Sequence, residues 1–236
     1  MKKKYEGVYI LILLFLQILF WSKTEKIKPD LSILPELQNI ETIKAISFGD
    51  EQFYFRVKAL EIQNSGDTFG RFTPLKYYDY EKLVNHFKIL EILDNKSSYI
   101  PSMASYYFSQ TQNKNDLIYI IKYLEQYADK DPKNRWWWYY QATFIANHIY
   151  NDKKLAIYLS TKLKDASPKD APAWTKQLLP IILANNNEEC ESLKIMNDLL
   201  LDDKLKPNEI NFMKYFIKEK IIKLKENKNK LKNCIL

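Results

Sequence analysis

A spacing of 36 residues recurs along this chain. Asp131-Pro132-Lys133 returns as Ser167-Pro168-Lys169, and Trp138 returns as Trp174. Asn115-Asp116 returns as Asn151-Asp152 and again as Asn187-Glu188. Several unrelated residue types share one offset, so the pattern is structural. A fixed period of about 20–50 residues marks supersecondary units that are each too small to bury their own apolar face and must stack to make a core.

The units read as helices. Four glycines in 236 residues are few for an all-β chain, whose tight turns consume glycine. Leu83, Val84, Phe87, Leu90, Ile92 and Leu93 form an apolar stripe at helical spacing after Asp79, and Asp94-Asn95 end it. From there helices are expected at about 99–112, 115–130, 135–150, 152–165, 171–185, 187–202 and 207–230, joined by short turns rich in Asn, Asp and Pro. Upstream, Gly49 closes one short helix, and Asp50 is a cap for another carrying Phe53, Phe55, Val57, Leu60 and Ile62. Ser65-Gly66-Asp67-Thr68-Phe69-Gly70 reads as a turn, since it lacks the spacing of a phosphate-cradling loop. No stretch shows sustained strand alternation, so the expected fold class is all-α.

Each unit resembles a tetratricopeptide repeat. Pro132 and Pro168 stand at that family's terminal proline, Trp138 and Trp174 at its large early position in the next helix A, and Ala142 and Ala156 at its small helix-contact positions. The departures are Leu178 and Tyr106 in place of Ala142, Ile120 and Ser192 in place of Ala156, and Pro207 closing the third period late. The resemblance covers about 95–205 and implies an α-solenoid of antiparallel helix pairs. It also implies a hairpin interface at Trp174 and a concave groove along the A helices. On that register Met103, Tyr107, Trp136, Tyr139 and Thr143 would line the groove and hold a protein or peptide partner. The alternative is that all five are core residues of an aromatic-rich body.

The N-terminus adds a second feature. Met1-Lys2-Lys3-Lys4 precedes a run from Gly7 to Trp21 whose one strongly polar member is Gln17. A helix there is at the short end of what spans a bilayer, with Tyr5, Phe20 and Trp21 placed for the interfacial aromatic belt. A cleaved signal peptide is the competing reading, but Phe20-Trp21-Ser22-Lys23-Thr24 offers no small-x-small cleavage site. Lys2, Lys3 and Lys4 nearly balance Lys23, Lys26 and Lys28. The free amino group tips the expectation toward a cytoplasmic N-terminus and an extracytoplasmic body, periplasmic in a bacterium. The expected layout is therefore a transmembrane signal anchor over 1–22, a linker over 23–35, a helical cap region over 36–94, repeats over 95–206, and a basic capping helix and tail over 207–236.

Chemistry-bearing constellations are sparse. His86 and His148 are the only histidines, and neither has a partner at motif spacing. Cys190 and Cys234 form no metal-ligand or thioredoxin-type pattern. No catalytic residue, metal site or cofactor is expected, and the chain reads as a non-enzyme. Eight of its lysines, against two glutamates, fall between Lys214 and Leu236, so the net charge of +7 is largely a property of the tail. That tail reads as a solvated capping helix, with anionic lipid headgroups as a second possible contact; without an Arg cluster or known motif, nucleic acid is not an expected partner.

These observations point to a membrane-anchored scaffold or adaptor that mediates protein–protein interactions in assembly or biogenesis at a membrane. Two alternatives stay open. One is a small-ligand-binding protein or enzyme with a site in residues 36–78, suggested by Gly66, Gly70 and Arg71. The other is a purely structural envelope protein.

Overall fold

The computed structural model describes residues 3–24, 32–68, 70–168, 170–202 and 205–222. Among these the chain is helical apart from one small ladder. The helices are α1 (Lys3–Thr24), α2 (Ile40–Ile46), α3 (Glu51–Gln63), α4 (Tyr80–Leu93), α5 (Tyr99–Ser102), α6 (Leu117–Asp129), α7 (Pro132–Phe144), α8 (Lys153–Ala166), α9 (Trp174–Asn185), α10 (Glu189–Leu200) and α11 (Pro207–Phe216). Strands β1 (Asp67–Thr68) and β2 (Arg71–Phe72) pair antiparallel between α3 and α4.

Short acidic and amide side chains start the helices by accepting bonds from otherwise orphaned backbone N–H groups. Asn39 accepts from Thr42 at 2.7 Å, and Asp50, Asp79 and Asp152 accept from Phe53, Lys82 and Leu155 at 2.9 Å each. Several helices widen at their C-terminal ends. α5 runs on through a π turn at Met103–Tyr107 and a 3-10 turn at Phe108–Gln110, and α7 runs on through a π turn at Ile145–Tyr150.

One part of the 36-residue echo is geometric. Asn151 and Asn187 both adopt the left-handed conformation, each at φ 64°, which asparagine tolerates better than most residues. Each stands just before a new helix, α8 or α10. Another part of the echo fails. Pro132 is the first residue of α7, whereas α9 begins at Trp174, six residues beyond Pro168. The cause is Pro172, which drives Ala171 out of the helical region; the Ala171 N–H instead closes a turn onto the Pro168 carbonyl at 3.1 Å. Trp138 is buried with its ring edge-on to Tyr127 at 6.0 Å, while Trp174 is 37% exposed. The expected equivalence of the two tryptophans is therefore corrected, and Trp174 does not fill a buried hairpin interface.

Packing runs mainly between consecutive helices: α6 on α7, α7 on α8, α8 on α9 and α9 on α10, with α4 touching both α3 and α6. One continuous core extends from Leu34 to Ile182, crossing the expected boundary at 94/95 without a break. A second, smaller cluster joins Ala184, Met196, Met213, Phe216 and Ile221.

Residues 36–78 pack as α2, α3 and the small ladder. Gly66 is needed there because a Cβ would collide with the Tyr78 hydroxyl and press on the Thr73 carbonyl. The cavity beside α3, lined by Pro35, Gln38, Tyr54, Lys58 and His86 among others, holds about 30 Å³, room for about one water.

α1 stands apart from these cores. Its Gly7–Thr24 stretch has a mean hydropathy of 1.7 and none of it is buried, so it is long and apolar enough to cross a membrane. The side chains of Lys2, Lys3, Lys4, Lys26 and Lys28, which bear on its orientation, lie outside the described residues. The lysine-rich end of the tail, 223–236, and Cys234 also lie outside them. Cys190 is disulfide-bonded.

Candidate protein-binding face

α7 carries five consecutive aromatics, and helical geometry must distribute them at about 100° per residue. Ala142, Ile145 and Ala146 are fully or almost fully buried and define the inward direction. Trp138, Tyr139 and Thr143 are also buried on that side. Trp137, Phe144 and His148 point away from it and are exposed, and Trp136 and Tyr140 are half-buried.

The outward residues meet a second helix. Trp174, the first residue of α9, stands edge-on to Tyr140 at 4.8 Å, to Trp136 at 6.0 Å and to Trp137 at 6.2 Å between ring centroids. Trp137 contacts Tyr140 at 5.1 Å, Tyr140 contacts Phe144 at 6.5 Å, and Phe144 contacts His148 at 4.9 Å. On the other flank the Tyr106 hydroxyl accepts from Trp137 Nε1 at 3.3 Å and from Gln141 Nε2 at 2.9 Å. The result is an aromatic face shared by the α5 extension, α7 and α9, with each ring held by a neighbour but open to solvent.

The five residues expected to line a groove do not share this face. Met103, Tyr139 and Thr143 are buried. Thr143 donates its hydroxyl to the Tyr139 carbonyl at 2.7 Å, and Tyr139 donates to Asp129 at 2.5 Å. Tyr107 is exposed but packs edge-on against Phe108 at 4.9 Å, beside a shallow cavity with Phe72 and Pro74. Trp136 alone touches the aromatic face. The stripe at 136, 139 and 143 lies one residue from the outward one at 137, 140 and 144. That is a rotation of about 100°.

Beneath the face, charges are used internally. Lys162 bonds Glu125 at 2.7 Å and Asp129 at 2.6 Å, and stands over the Tyr139 and Tyr158 rings. Burial opposes its charge, but these carboxylates and Tyr158 outweigh that and raise its pKa. Burial and the Asp129 contact likewise raise the Tyr139 pKa. Glu91 is buried and held by Lys130 at 2.8 Å and Arg135 at 3.4 Å. Arg135 also donates to the Tyr127 and Asn95 carbonyls and lies 4.0 Å over the Tyr127 ring. It takes up φ −112°, ψ 17° inside α7, bending the helix start toward these partners.

His86 is buried on α4 with Nε2 3.1 Å from the Pro35 carbonyl; burial lowers its pKa. Among the described residues no group of three or more His, Cys, Asp or Glu could hold a metal ion. A cavity of about 420 Å³ opens between the start of α9, the end of α10 and the start of α11, where Lys176 lies 3.6 Å from Asp202. No family model, curated protein or solved structure matches the chain.

Proposed function

We propose that this protein is a membrane-anchored helical scaffold that holds a protein or peptide partner on the aromatic face of α7 and α9. The carrying observation is the array of exposed Tyr106, Trp137, Phe144 and Trp174 around the half-buried Tyr140. Trp and Tyr are the residues that most often anchor interfaces, because they offer large rigid area at small entropic cost. Here each ring is already fixed by its neighbours, so little ordering is left to offset on binding. Packing between consecutive helices and the left-handed asparagines 36 residues apart support a tetratricopeptide-like solenoid as the frame. α1 is the anchor in this reading, and the body faces the extracytoplasmic side. The Cys190 disulfide agrees with an oxidising compartment. The protein grips a partner near a membrane and transforms nothing.

Replacing Trp137 and Phe144 together by alanine in the full chain tests this. Proximity labelling in native membranes should lose specific neighbours, while circular dichroism of the purified variant stays that of the parent. An unchanged neighbour set in a folded double variant would refute the face as the binding site.

A further inference from the structure

α3 is apolar on two sides. Phe55, Ala59 and Ile62 are buried toward the body. On the opposite side Phe53, Val57 and Leu60, at i, i+4 and i+7, are 65%, 46% and 55% exposed. Directly before α3, Phe48 is 95% exposed at the tip of a turn and holds φ 50°, a conformation rare for a bulky side chain. Phe53, Val57 and Leu60 thus form an exposed apolar stripe flanked by the exposed Arg56 and Glu61.

The path of the chain indicates what covers it. Leu34 is buried in the core and follows the end of α1 by ten residues. Fully extended, that stretch reaches about 35 Å, which bounds the distance from the end of α1 to the point where the chain enters the body. From Leu34 the chain is clasped to α4 by Lys82 Nζ on the Leu34 carbonyl at 3.1 Å and by His86 on the Pro35 carbonyl. It then runs along α3, where Tyr54 donates to Gln38 Oε1 at 2.7 Å. Tyr54 and Lys58 border that segment, and each is the next residue after Phe53 and Val57. The tether therefore meets the body along the Tyr54 and Lys58 flank of α3, about 100° around the helix from its outward stripe.

We propose that Phe53, Val57 and Leu60, with Phe48 before them, rest in the interfacial zone of the bilayer crossed by α1. The partner of this face is a lipid surface, which accepts an apolar helical stripe lying in its plane. The inference rests on the anchored reading of α1. It adds a second attachment that fixes the tilt of the body and turns the membrane-proximal end toward lipid.

The test is photo-crosslinking of the full chain in vesicles of phosphatidylcholine and phosphatidylglycerol, with p-benzoylphenylalanine placed singly at Phe15, Phe53, Val57 or Phe144. All four side chains are exposed, so the substitutions leave the core intact. Lipid adducts at 15, 53 and 57 with none at 144 are the expected result. Adducts at 15 without adducts at 53 and 57 would overturn the docking of α3 and leave the anchor standing. Protein–protein adducts at 53 would overturn it in favour of a second copy covering the stripe. Equal lipid adducts at 144 would overturn it because contact would not be confined to α3. A chain with no adduct at 15 would refute the anchor itself, and the inference would fall with it.

Discussion

The helices before residue 167 and those after it are built from similar residues but hold together differently. α4 to α8 share a core in which rings meet in series: Phe108 contacts Phe87 at 5.6 Å, Phe87 contacts Tyr123 at 5.2 Å, and Tyr127 contacts Trp138 at 6.0 Å. α4 and α8 are capped by aspartates, and ion pairs tie α4 to α7 and α6 to α8. The separate cluster of α9 to α11 and the turn after them has five buried apolar residues; no capping side chain bonds the first turn of α9 or α10, and α11 starts with the Lys206 N–H donating to the Glu209 carboxylate at 2.8 Å. The difference teaches that a stack with nearest-neighbour contacts need not be uniformly stable, because each interface contributes separately.

The sharpest way to break this contrast is to remove Phe108, which is fully buried and touches Tyr78, Phe87 and Tyr107. Phe108→Ala should cost about 3–5 kcal/mol of global stability, read as a shifted denaturation midpoint throughout the body. Met196→Ala should cost about 2–4 kcal/mol, but with loss of hydrogen-exchange protection confined to α9–α11. If protection fell equally in α4–α8, the two regions would be one cooperative unit. Arg135→Ala should cost about 2–3 kcal/mol, since it strips one of two cationic partners from a buried carboxylate and also loses the Tyr127 stacking. Arg135→Lys should recover part of this in the same melting experiment.

Trp174→Ala should cost about 1–2 kcal/mol, below the value for a buried tryptophan, because the residue is 37% exposed. A loss of 4 kcal/mol or so would show that the aromatic face is a packed interface. The smallest effect is a pH slope. Burial, aided by Lys82 and Lys58 and opposed by the Pro35 carbonyl and Glu61, lowers the His86 pKa. The unfolded chain, with an ordinary value of about 6.5, therefore takes the proton first as pH falls. Stability should decline as pH drops below about 7 and level off beneath the folded-state pKa. His86→Asn should flatten that decline in urea titrations, and a decline that persists would assign it to another group.

Local signals were legible in the sequence where a single residue decides them. Asp50, Asp79 and Asp152 cap as their chemistry requires, and α4 spans the stripe read after Asp79. The apolar length of α1 follows from composition alone. The repeat was half legible: Asn151 and Asn187 keep the spacing, but Pro172 delays α9 and parts Trp138 from Trp174. The stripe read at 136, 139 and 143 follows a register fixed on Trp138, whereas other residues set the inward centre of α7. Ala142, Ile145 and Ala146 mark that centre, and counting outward from them reaches Trp137, Tyr140 and Phe144. Trp174 joins that face only through a tertiary contact, which no local pattern announces.

Pro180 lies inside α9, where it offers no N–H to the helix. Its own carbonyl accepts from Ser192 of α10 at 2.6 Å. Ile182, just beyond it, belongs to the main core, and Ala184 to the smaller cluster. α9 thus gives up one backbone hydrogen bond near its middle, and α10 is bonded to it at that point. The seam between the two apolar clusters therefore falls inside one helix rather than at a turn, beside the place where α9 lacks a backbone hydrogen bond.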